Sequence, residues 1–263
     1  MTFPTTTGAS TARGAGSFTM TVRYALLCTR AAYRNLRFLV LTVILPLLLF
    51  LLYSSLYSGQ TTDSGLSVVA YLMVSMASFG CIGAAINTGA RISIERQTGW
   101  NRQLRLTALP ANSYLIGKAV VSMLVTLPAL LLVFLTGATV GNVVLGPQQW
   151  LETGLALWLG LIPFAVLGLV IGFAGTVDTV QPISMITYLG LSVLGGLWFP
   201  VEQFPPFLQD VAKVTPSYWL ARLGRDVLGG NGVPTTAVLV LAAWTLVLAA
   251  VGVAAYRRSG RRL

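Results

Sequence analysis

Six apolar runs, 38–57, 67–90, 119–140, 151–174, 182–199 and 235–256, constrain this chain more than any other feature. A helix that crosses a bilayer needs about 20 consecutive apolar residues. Five of the runs qualify outright, and 182–199 is the marginal one. The expected fold is therefore an all-α membrane protein with six transmembrane helices. Composition agrees, because only 9% of the residues are charged, against about a quarter in soluble domains.

The seventeen Lys and Arg residues then assign the sides. With both termini inside, cytoplasmic segments hold 14 basic residues and only two acids, Glu95 and Asp178. The outside holds Lys213, Arg222 and Arg225 beside five acids, Asp63, Glu152, Glu202, Asp210 and Asp226. Basic residues are retained on the cytoplasmic side of short loops, so this asymmetry predicts both ends in the cytoplasm. A net charge of +10 does not point to nucleic acid here. The charges flank apolar runs, where topology determinants and lipid headgroup contacts belong.

Residues 1–17 are small and polar and read as a disordered tail. Over 18–37, Arg23, Arg30, Arg34 and Arg37 share one helical stripe opposite Phe18, Ala25, Cys28, Ala32 and Leu36. That pattern predicts an interfacial amphipathic helix on the inner leaflet. A cleavable signal is excluded by the length of this stretch and by the lack of an A-x-A site. The six-span domain occupies 38–256, and 257–263 is a basic cytoplasmic tail. Between spans five and six, Pro205-Pro206 opens one short helix through Lys213, and Pro216 precedes a second from Ser217 to Leu228, ended by Gly229-Gly230. Their apolar faces (Phe207, Leu208, Val211; Trp219, Leu220, Leu223) predict short re-entrant or capping helices. Gly168-x-x-x-Gly172, and Ala77, Gly80, Gly83 and Ala84, are read as close-packing positions between helices.

No catalytic residue is assigned. Histidine is absent, which removes the usual general base and the commonest metal ligand. Cys28 and Cys81 suit neither a disulfide framework nor a zinc site and read as small apolar side chains. No acid or base lies in the centre of a span, which argues against a carboxylate proton relay. Gly117-Lys118 is not a phosphate loop: Asn112 stands at the first glycine position and Ala119 replaces Ser or Thr. Two polar stripes remain. Tyr71, Ser75 and Ser78 follow one helical face, as do Ser184, Thr187, Tyr188, Ser192 and Gly195. Either they line a pathway for an amphipathic substrate, or they hydrogen-bond between helices.

The long polar insert 91–118 carries Arg91, Arg96, Arg102, Arg105 and Lys118 against Glu95 alone. Ile92–Gln97 continues a helix, Gly99 breaks it, and Trp100 to Leu109 can form another that Pro110 ends. Glu95 is expected to pair locally with Arg96 or Arg102, or with Arg30 or Arg34 of the first helix. In Glu95-Arg96, Gly99, Leu104, Pro110 and Lys118 this insert resembles the first cytoplasmic loop of permease subunits of type-2 ABC exporters. Gly195-Gly196, Pro200, Pro205, Pro216 and Tyr218 are similar to that family's segment between spans five and six. Trp100-Asn101 departs from the small or acidic residues of many relatives.

The resemblance implies a permease in the bacterial cytoplasmic membrane, one of two such chains, identical or similar. It implies a separate ATP-binding subunit, with ATP and Mg held there and no cofactor on this chain. Glu95, Arg96, Gly99, Trp100, Arg102, Leu104 and Arg105 then form the coupling helix region between spans two and three. The substrate is expected to be a drug-like, antibiotic or lipid-like amphipath. The alternatives are a permease-like sensor subunit for peptide antibiotics and an ion-coupled secondary carrier.

Overall fold

A computed structural model describes residues 26–30, 32–34, 36–61, 66–97 and 111–260. Among these the protein is all-helical, with one isolated β-bridge between Thr61 and Ser67. The helices are α1 (Leu36–Leu56), α2 (Val68–Ala90), α3 (Ile92–Gln97), α4 (Ala111–Thr139), α5 (Pro147–Gly160), α6 (Ile162–Ala174), α7 (Val177–Leu194), α8 (Pro206–Val214), α9 (Pro216–Leu228) and α10 (Thr235–Gly260). A 3-10 turn, Val201–Gln203, precedes α8. Five helical stretches are long and apolar enough to cross a membrane: Val68–Gln97, Tyr114–Thr139, Pro147–Ala174, Val177–Leu194 and Thr235–Ala255. Helix α1, 21 residues with Pro46 inside it, accompanies them.

The bundle is built around α2. Apart from Val68, Tyr71 and Asn87, which are half-buried, its side chains are buried on every face. A helix can be surrounded in this way only if its neighbours come close, and α2 is rich in Gly, Ala and Ser for that reason. A Cβ on Gly168 of α6 would sit 2.8 Å from the Ile86 carbonyl oxygen, and one on Gly172 would run into that of Gly89. The Gly168-x-x-x-Gly172 motif thus lets the backbones of α2 and α6 touch. Gly80 meets Pro46 of α1, and Gly83 accommodates the Tyr188 ring of α7. Ser122 on α4 donates to the Ala85 carbonyl at 2.9 Å, so α4 closes a further side.

Three spans depart from the bounds read in the sequence: the third starts at Ala111, eight residues before its apolar run. The fourth starts at Pro147, with proline at its first turn, and breaks at Leu161, just before Pro163, which cannot donate to the helix ladder. The fifth starts at Val177, five residues before the apolar run, and stops at Leu194. The physical reason is Gly195-Gly196: Gly196 takes φ +68, which ends the helix before the apolar Leu197-Trp198-Phe199.

Helix α9 is inserted among the spans. Its Leu220 and Ala221 are fully buried. A Cβ on Gly224 would meet Leu157 of α5 and Val74 of α2 at 2.6 and 2.7 Å. Ser217 Oγ donates to the Leu191 carbonyl at 2.5 Å, tying α9 to the end of α7. At the other end of the sequence, residues 26–30 are helical, and Cys28 and Ala32 pack against Val121 and Val125 of α4. There the Tyr33 hydroxyl donates to the Leu124 carbonyl at 2.6 Å, and burial pushes its phenol above the usual range.

Candidate functional site

Where α2 passes into α3, Arg91, Glu95 and Arg96 stand at one end of the bundle, with Lys118 of α4 beside them. Helix α3 follows α2 after the single turn residue Arg91, and the Glu95 amide donates to the Arg91 carbonyl at 3.1 Å. This continuation carries Glu95 and Arg96 beyond the apolar core. Opposite them, Tyr114 and Lys118 stand four residues apart on the first turns of α4, so they share one face.

The Glu95 carboxylate bridges both. One oxygen accepts from Lys118 Nζ in a short ion pair, and the other accepts from the Tyr114 hydroxyl at 3.1 Å. The Lys118 side chain is only 6% exposed and that of Glu95 27%. An ammonium so deeply buried is tolerated because a carboxylate faces it. Its Nζ also lies 5.9 Å from the centre of the Tyr114 ring. Arg96 reaches a third helix: its Nη1 donates to the Phe173 carbonyl at 2.5 Å. That carbonyl belongs to the last turn of α6, where backbone acceptors lack helical partners and a cation is favoured. Tyr114 meets the Phe173 ring edge-on at 6.5 Å, and Ile92, Tyr114, Leu169 and Phe173 close a small apolar cluster beneath. The result is a clamp that binds α3, α4 and α6 together at the two feet of segment 98–110.

Glu95 thus takes partners that the sequence expectation did not name. It pairs with Lys118 and Tyr114, not with Arg96, Arg30 or Arg34; Arg102 lies outside the described residues. Sequence separation hid the partner, although the i, i+4 spacing of Tyr114 and Lys118 at the start of an apolar run marked a polar face. Gly99, Trp100, Arg102, Leu104 and Arg105 also lie outside the described residues.

Helices α2 and α7 meet at Phe79, which lies beside the first polar stripe rather than in it. Tyr188 stacks on Phe79 at 4.8 Å, and Trp198 meets Phe79 edge-on at 5.4 Å. Ser75, Ser78 and Ser192 donate to carbonyls of their own helices, those of Tyr71, Val74 and Tyr188, at 3.2, 2.8 and 2.6 Å. These three bonds are local rather than interhelical. Ser184 is fully buried, and its Oγ has no hydrogen-bond partner among the described residues. Thr187 is half-buried. Tyr71, at the opposite end of α2 from the clamp, receives Arg225 of α9. The guanidinium lies 4.2 Å from its ring centre and donates to its hydroxyl. Sequence reasoning counted Arg225 only as an outer charge.

Residues 19–228 match the protein family described as ABC-2 type transporter. Over 214 residues the chain is 30% identical to YvfS of Bacillus subtilis (strain 168), by its name a transport permease, covering 81% of this chain and 87% of YvfS. It is 31% identical over 99 residues to the inner membrane transport permease YadH of Escherichia coli (strain K12), covering 36% of this chain and 39% of YadH.

Proposed function

Since this chain belongs to the ABC-2 type transporter family, we propose that it is the membrane-spanning permease subunit of an ATP-driven exporter. It is a multi-pass membrane protein with a transport role, and the family implies an ATP-binding partner. The proposal adds direction, topology and mechanism. Both termini lie in the cytoplasm, six spans cross the membrane, and a second permease chain completes the pathway. The substrate is an amphipath carried outward.

The single observation that supports this reading best is the clamp of Glu95, Arg96, Tyr114, Lys118 and Phe173. Segment 98–110, with Trp100, Arg102, Leu104 and Arg105, is proposed to dock in the ATPase and to move when ATP closes that subunit. A displaced loop does mechanical work only if its ends are joined to something stiff. Here both feet are tied to each other through a buried ion pair, and one is tied to the end of α6. A push on the loop is thus delivered to α2, α4 and α6 together, and α2 touches most of the bundle. Trp100 is proposed as the aromatic anchor, with the arginines guiding docking. ATP and Mg act in the partner. The stripes Tyr71, Ser75, Ser78 and Ser184, Thr187, Tyr188, Ser192 are proposed to face the pathway.

The test is co-purification of the chain with its ATPase, followed by reconstitution. ATP-dependent, vanadate-sensitive movement of a fluorescent amphipath out of the nucleotide-containing side is expected. Uphill movement by the chain alone on an ion gradient would refute the reading in favour of a carrier. An ATPase complex that moves nothing while responding to peptide antibiotics would refute it in favour of a sensor.

A further inference from the structure

Away from both polar stripes, the broken fourth span opens an apolar groove of about 510 Å³ between α5, α6, α9 and α10. Its wall is hydrocarbon: Leu155, Leu159 and Ile162 on one side, Leu223, Val238 and Leu241 on the other. Leu223 and Leu241 form a buried floor, whereas Leu155, Leu159, Ile162 and Val238 are exposed at the rim. The groove lies beside the break at Leu161, and at Gly160 the missing side chain lets Leu220 of α9 pack against the helix. From Glu152 to Pro163 it runs about 16 Å at the helical rise, and its volume falls within the usual range for sites that take drug-sized ligands.

Among the described residues Glu152 is the only ionisable one lining the groove. One of its oxygens accepts from the Gln148 amide at 2.7 Å, and no cation pairs with it among the described residues. Two other acids of the same predicted side are paired instead, Asp210 with Lys213 and Asp226 with Arg222. Glu152 is exposed in the second turn of α5, at the end of the helix assigned to the outside, so its carboxylate is open to a positive head group while the hydrocarbon wall runs inward from it. An apolar trough ending in one uncompensated carboxylate complements a single kind of molecule.

We infer that this groove binds an amphipathic cation, its amine or quaternary ammonium head against Glu152 and its single apolar tail along Leu155, Leu159 and Leu241. The assignment names the head-group class of the amphipath proposed above. Binding stands without the exporter reading, and only the later movement of the bound cation rests on it. Entry is from the membrane, since the rim faces outward from the bundle.

The experiment uses the purified full chain in phosphatidylcholine nanodiscs. The probe is dodecyltrimethylammonium carrying a diazirine at the tail end, and an uncharged triethylene-glycol twin has the same tail. After photolysis, mass spectrometry of the digest is expected to find the cation on 155–163 and 238–245. Glu152→Gln should lower that labelling about tenfold, while Glu152→Asp keeps it. Ala242→Trp, which fills the groove, should abolish it, with size-exclusion profiles confirming that each variant folds. Equal labelling by the uncharged twin would overturn the inference, because the groove would then take any bilayer tail. So would undiminished labelling of Glu152→Gln, or labelling concentrated on 183–193. Binding at the groove without ATP-driven movement of the cation supports this site and overturns the transport reading instead.

Discussion

Removing Glu95 should be more damaging than removing its partner. Glu95→Ala leaves the Lys118 ammonium, 6% exposed, without its carboxylate, and breaking a buried pair in this way costs about 3–5 kcal/mol. Lys118→Met leaves a carboxylate that keeps the Tyr114 hydroxyl at 3.1 Å and is 27% exposed. That loss is nearer one charged hydrogen bond, about 1–2 kcal/mol. The double variant Glu95→Leu/Lys118→Met fills the same space with apolar groups and should return to within about 1 kcal/mol of the parent. With Glu95→Leu as the matching single variant, the two single losses less the residual of the double give a coupling of about 3–7 kcal/mol, measured by reversible denaturation in mixed micelles. ATP-driven transport should remain impaired in the double variant, because the feet of segment 98–110 are no longer linked by charge. Equal losses in the two single variants, or no recovery in the double, would refute the argument that a buried ion pair holds these helices.

Other outcomes test the rest. Gly168→Val places a side chain against the Ile86 carbonyl and should prevent recovery of monodisperse protein, whereas Gly190→Ala, with open space around its Cβ, should purify normally. Trp100→Ala and Leu104→Asp should insert normally but lose ATPase docking or uncouple hydrolysis from transport; normal transport by both would remove the segment from the mechanism. Ser75→Ala with Thr187→Ala should alter substrate range, and unchanged transport with lower thermal stability would make the stripes structural. A cysteine at Asp210 should react with a membrane-impermeant maleimide on intact cells, and one at Arg262 only after permeabilisation; the reverse pattern would invert the topology.

Much of the architecture was legible along the chain. Length and hydropathy marked the spanning helices, because lipid leaves a backbone no partner but itself. The prolines and glycines of 205–230 placed α8 and α9 within a residue or two, since proline starts helices and paired glycines end them. Pattern failed where the decisive event was local geometry inside an apolar run. The break at Leu161 and the early stop at Gly195 both lie in sequence that hydropathy alone treats as continuous.

Periodicity and charge, then, determined that this chain belongs in a membrane and where its helices begin and turn, because those properties depend on neighbours within a few residues. Only the folded bundle decided which helix lies at the centre, that Glu95 answers Lys118 across 23 positions, and that Glu152 ends an apolar groove. Partners of that kind are chosen by which faces pack together, and the glycine contacts between α2 and α6 that set those faces act between residues far apart in the chain.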